Sequence, residues 1–282
     1  MAFDPATTLQ IQLMFEGLNT NSINVFPAAG SLRELLSTLI DSTSHDTLTV
    51  GRPTVKSFAT AAVEMWHKAI HSFILSASMT KASPVWSSVS GYYSSHYSIR
   101  GFAHLLGYFL LYSKNKSTIQ IEISNHQHLC HILPKTRNDG EHRFYWRKVH
   151  EHSDFILDPF FTMNIEFDDV SDSGHRNKAN YYDHLYGFPT FQILDEKYLK
   201  DRLQVISGME FYDAPIPSKS KYPDLDSIQL VAYYRLVKFR SFLDVILETK
   251  NNYWNYHRRP TWCSNLLNFQ AAMTDFAKIY SE

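Results

Sequence analysis

A mainly α-helical fold is expected from three features of the sequence. Two stretches, 54–79 and 85–112, carry apolar residues at alternating steps of four and three, the repeat that lines one face of a helix. Only residues 80–84, punctuated by Ser83-Pro84, separate them, and so short a link implies an antiparallel helix pair. A third long stripe runs through 224–250, whereas a single segment, 118–134, shows the two-residue period of strands.

Composition narrows the classes. The chain has 282 residues, 44% hydrophobic and 15% aromatic, enough for a substantial core. Lys+Arg is 27 against Asp+Glu 28, so nucleic acid would have to be met by a local patch and not by a global field. The two cysteines, Cys130 and Cys263, stand far apart and outside any CxxC spacing, which signals neither a disulfide framework nor a zinc knuckle. The opening MAFDPATTLQ has no basic segment leading into an apolar run, and no stretch approaches a membrane span, so a cytoplasmic protein without a membrane partner is expected.

In chain order, residues 1–50 form an N-terminal extension: an apolar patch from Ile11 to Phe15, the turn-like GLNTNS, and a short helix at 32–41 faced by Leu32, Leu35, Leu36 and Leu39. After Gly51-Arg52-Pro53, the helix at 54–79 places Val55, Ala59, Ala62, Trp66, Ala69, Phe73 and Ala77 on one stripe. Pro84 suits the first turn of the next helix, 85–112, whose stripe is Val85, Val89, Tyr92, His96, Ile99, Ala103, Leu106 and Leu110. Beside that stripe runs a polar line that includes Arg100 and His104, one turn apart.

The period-two segment reads as a β-hairpin turning at Ser124-Asn125-His126-Gln127. Ile119, Ile121 and Ile123 alternate with polar residues on the first strand, and Leu129, His131 and Leu133 do likewise on the second. His126, His128 and His131 raise a metal reading, which is set aside because no carboxylate or thiol stands at matched spacing and Cys130 is expected on the opposite face. Residues 141–157 look helical. Beyond an irregular 158–171, a helix is expected at 173–186, capped by Asp172 or Ser173 and stopped by Gly187 and Pro189. A surface loop at 188–223 and two C-terminal helices, 224–250 and 261–280, complete the chain.

Two segments carry a resemblance. SGYYSSHYSIRGFAHLLG is similar to the signature helix of the HEPN superfamily, and HRNKANYYD resembles the R-x-x-A-(D/N)-Y segment that closes the helical core in one HEPN branch. The resemblance implies an HEPN-like helical core over 51–187, with the β-hairpin near 118–134 as an insertion and the C-terminal helices packed on it. It further implies a homodimer and, in the catalytic branches, a metal-independent ribonuclease needing no cofactor. In such chemistry a histidine moves the proton and an arginine stabilises the phosphate as the 2′-hydroxyl attacks.

Carried onto this chain, the motif gives Arg176 and His184, with a longer interval between them than the family's, or Arg137 and His142, whose interval fits but spans the turn signal Asp139-Gly140. Substrate contacts would come from Arg100, His104, Asn177, Asn180 and Tyr181. They would also come from Arg258 and Arg259, basic residues flanked by Trp254 and Trp262 in a mix that stacks bases and neutralises phosphate. No Gly-rich phosphate loop, G-x-S-x-G, H-E-x-x-H or kinase set is present. The leading functional expectation is an RNA-directed effector, an endoribonuclease of a defence or toxin-type system. Its alternatives are a non-catalytic module that binds RNA or a partner protein, and a structural dimerisation subunit.

Overall fold

A computed structural model of the chain describes residues 5–15, 29–80, 83–112, 118–124, 126–134, 140–152, 166–167, 170–171 and 227–247. In order, these form α1 (Pro5–Phe15), α2 (Ala29–Asp41), β1 (Thr47–Val50), α3 (Arg52–Met79), α4 (Pro84–Leu105), β2 (Tyr108–Leu110), β3 (Thr118–Ser124), β4 (Gln127–Leu133), α5 (Glu141–His150), β5 (Glu166–Phe167), β6 (Val170–Ser171) and α6 (Ser227–Leu247). The described part is mainly helical, with a small antiparallel sheet. Among the described residues no helix is long and apolar enough to cross a membrane. The helix expected at 173–186, the 188–223 loop and the helix at 261–280 lie outside the described residues.

Contacts divide the chain into two compact units, one drawn from Met1–Trp66, Ser98–Met163 and Ser241–Asn255, the other from His67–Tyr97, Asn164–Arg240 and Tyr256–Glu282. In the first unit the sheet has the order β1-β4-β3-β2, every pairing antiparallel. The hairpin forms as its alternation requires: Ser124 pairs with Gln127, and His126 between them takes a left-handed backbone with φ of 61°.

The facing of Cys130 on β4 is a correction. Ile119 pairs with Ile132 and Ile121 with Cys130, all at most 1% exposed, whereas Leu133 is 37% exposed. Cys130 therefore shares a face with His128, two residues away, and not the opposite one. Burial raises its thiol pKa to about 11, as for an inert core cysteine. β1, which the sequence analysis did not anticipate, adds the edge strand with Leu48 opposite Cys130.

The end of the central helix is a second correction. The apolar run after Ala103 continues the helical stripe, yet α4 stops at Leu105 and Tyr108–Leu110 become a strand. Gly107 makes the switch. Its φ of 83° suits glycine, and its amide N–H donates to the His104 carbonyl, 3.0 Å away, to close the last turn. Its carbonyl then accepts the Ile121 N–H at 3.0 Å, starting the sheet pairing. A Cβ on Gly107 would lie 2.4 Å from the Ile121 carbonyl oxygen, so the close approach also excludes a side chain.

In the second unit, the expected antiparallel pair is visible from hydrogen bonds. Ser94 Oγ donates to the Ala69 carbonyl at 2.8 Å and Ser76 Oγ to that of Ser87 at 2.7 Å, positions rising on α3 as they fall on α4. Gly91 and the serines of α4 let the backbones approach: a Cβ at Gly91 would sit 3.0 Å from Ser76 Oγ and 3.3 Å from Ile228. Gln229 of α6 joins both helices through Nε2, 3.0 Å from the Ser76 carbonyl and 2.9 Å from Ser87 Oγ. Phe73 packs on Tyr233 at 5.4 Å between centroids. The α3 stripe from Val55 to Ala77 is buried at every position, as are Ala232, Leu236, Phe239 and Leu243 of α6.

Candidate functional site

The polar line of α4 leads to a cluster in the first unit. Arg100 and His104, one turn apart, both meet Tyr145 of α5. The Arg100 guanidinium carbon lies 5.2 Å from the centre of the Tyr145 ring, and its Nη1 donates to Glu141 Oε1 in an ion pair. Glu141 and Tyr145 are one turn apart on α5, so carboxylate and ring grip the guanidinium from one helix face. The side chains of Arg100 and Glu141 are 17% and 30% exposed, which places the pair at the boundary with solvent.

Tyr112, 53% exposed, stands beside this pair. The Glu141 amide hydrogen-bonds to its hydroxyl. Partial burial and the Glu141 charge raise the Tyr112 pKa, opposed by that hydrogen bond and by the positive charges of Arg100 and Arg33. Arg33 lies exposed on α2.

His104 is 1% exposed. It sits among Phe58, Phe109 and Tyr145, and its Nδ1 lies 2.9 Å from the Tyr108 carbonyl oxygen. A carbonyl only accepts, so Nδ1 carries the hydrogen and the tautomer is fixed by the main chain. His104, expected as a substrate contact, is a buried ring that ties the helix end to β2. Tyr145 is also structural through its hydroxyl, which accepts the Leu110 N–H at 3.1 Å. Its pKa rises to about 12 because burial disfavours the phenolate.

His142 follows Glu141 in the first turn of α5 and is half-buried. The other expected site residues, Arg137, Arg176, Asn177, Asn180, Tyr181, His184, Arg258 and Arg259, lie outside the described residues. Of the expected set, the structure therefore describes Arg100, His104 and His142.

The hairpin histidines are engaged elsewhere. His128 Nε2 lies 3.0 Å from the Met14 carbonyl oxygen of α1. His131 has Nδ1 3.1 Å from Thr47 Oγ1 and Nε2 2.9 Å from Glu122 Oε1, so both ring nitrogens are occupied on the sheet's other face. Among the described residues no three His, Cys, Asp or Glu side chains come together as a metal site.

Sequence reasoning missed Glu141, Tyr145 and Tyr112 as partners of Arg100. The spacing of Glu141 and Tyr145 was readable, but the return of α5 onto α4 was not. In comparisons with known proteins, no family model, curated protein or solved structure matches this chain.

Proposed function

We propose that this chain is an HEPN-like helical module that binds RNA without cutting it. The observation that carries the reading is the unequal fate of Arg100 and His104. Arg100 lies at the solvent boundary as a phosphate-binding cation would, whereas the histidine one turn away is 1% exposed and hydrogen-bonded to the main chain. A general base must reach the proton it takes, so the buried His104 adds no proton-transfer group beside Arg100; the pairs Arg176 with His184 and Arg137 with His142 are the ones a cleavage assay has to test. The two resembling segments support the family assignment, and the aromatic and basic composition around Arg258 and Arg259 supports RNA as the ligand. Cytosolic residence and a homodimer belong to the same proposal.

The test is fluorescence anisotropy of a labelled single-stranded RNA over a range of salt. Binding should weaken linearly in log–log form as phosphate contacts are screened, with about 0.7 of slope per contact. Affinity that is absent at low salt would refute the reading, and a tight homodimer or partner complex in its place would favour the structural alternative.

A further inference from the structure

We propose that Arg100 and the exposed ring of Tyr112 form a subsite for a phosphate-bearing ligand, and that the Glu141 carboxylate occupies this subsite in the free protein. RNA as the source of the phosphate rests on the function proposed above; the phosphate chemistry does not.

Four features point this way. The guanidinium is held in place from behind by the Tyr145 ring, so it needs no ordering when a ligand arrives. It meets Glu141 through Nη1. That is less than the two parallel hydrogen bonds an arginine makes to a carboxylate or a phosphate in fork geometry. Glu141 is 30% exposed in the first turn of α5, where the helix dipole favours its charge whether or not Arg100 holds it. Swinging the carboxylate into water therefore leaves it well placed, and a surface pair of this kind opens readily. Finally, Tyr112 is 53% exposed and its hydroxyl takes a hydrogen bond from the Glu141 backbone, which sets its ring at the helix end that holds Arg100. An aromatic face beside a cation stacks a base while its phosphate is neutralised.

The internal carboxylate also sets selectivity. A monoanion such as acetate gains nothing over Glu141, whereas a phosphate brings more charge and more acceptor oxygens to the same fork. Glu141 thus acts as an autoinhibitory stand-in that only a stronger anion displaces.

The experiment compares wild-type protein with Glu141→Gln and Tyr112→Leu, using two probes: a short fluorescein-labelled oligouridylate and inorganic phosphate. Glu141→Gln keeps an oxygen for Arg100 to donate to but removes the competing charge, and it should bind both probes about tenfold more tightly. Tyr112→Leu should weaken the oligouridylate about fivefold or more through lost stacking and leave inorganic phosphate unchanged. Thermal melting establishes that each variant is folded. A folded Glu141→Gln protein that binds both probes no more tightly than wild type overturns the subsite. If it tightens for phosphate while no variant binds oligouridylate, the subsite is supported and the RNA reading fails. If wild type binds oligouridylate and neither substitution changes either probe, the RNA reading survives and the subsite is overturned.

Discussion

Replacing Gly107 with alanine tests how the central helix becomes a strand. At φ of 83° an L-residue with a side chain costs about 1–2 kcal/mol, because its Cβ crowds the neighbouring carbonyl. The new methyl would in addition lie 2.4 Å from the Ile121 carbonyl oxygen, a backbone atom that cannot turn away as a side-chain tip can. Relief requires β3 to shift, which stretches the 3.0 Å hydrogen bond from the Ile121 N–H to the Gly107 carbonyl, and a hydrogen bond of this type is worth about 1 kcal/mol. Together these give a loss of about 2–3 kcal/mol, towards the upper end of what most single substitutions cost. Urea unfolding followed by circular dichroism measures it. Gly140→Ala is the control, since its φ is −63° and an added Cβ meets nothing within 4 Å. If Gly107→Ala and the control both stay within about 0.5 kcal/mol of wild type, the helix does not end in a glycine-specific turn packed on β3.

Tyr145→Phe removes the hydroxyl that accepts the Leu110 N–H and leaves that buried amide unpaired, so a loss of about 1–3 kcal/mol is expected in the same assay. Alkaline unfolding should be steep. Burial raises both Tyr108 and Tyr145 from 10.0 to about 12, so the folded chain keeps protons that the unfolded chain releases. Their contribution is therefore intact below pH 10 and is lost as the pH climbs towards 12, by about 3 kcal/mol for each tyrosine. Phe at position 145 should flatten that fall, and a profile level up to pH 12 would contradict the burial of both phenols.

Much of the helical framework was legible because burial and period coincide. From Val55 to Ala77 every stripe residue of α3 is buried, and Pro84 begins α4. The reading failed where a local signal had two outcomes. Tyr108, Phe109 and Leu110 are apolar in either a helix or a buried strand, and the positive φ of Gly107 decided between them. On β4, Leu129, His131 and Leu133 and the alternate set of Cys130 and Ile132 offered competing faces, and pairing with Ile119 and Ile121 selected the second. At the candidate site Arg100 was visible as a cation beside a core stripe. Its partners were not, because Glu141 and Tyr145 reach it across 41 and 45 positions of chain that no periodicity connects.

The most direct test of the central claim is to incubate end-labelled single-stranded RNA with the protein in EDTA and split each sample between a native and a denaturing gel. Binding without cleavage predicts a retarded band on the first and full-length RNA on the second. Shortened RNA, abolished by Arg176→Ala or His142→Ala, would contradict the account and restore the ribonuclease reading; an unretarded band at low salt would remove RNA from it altogether.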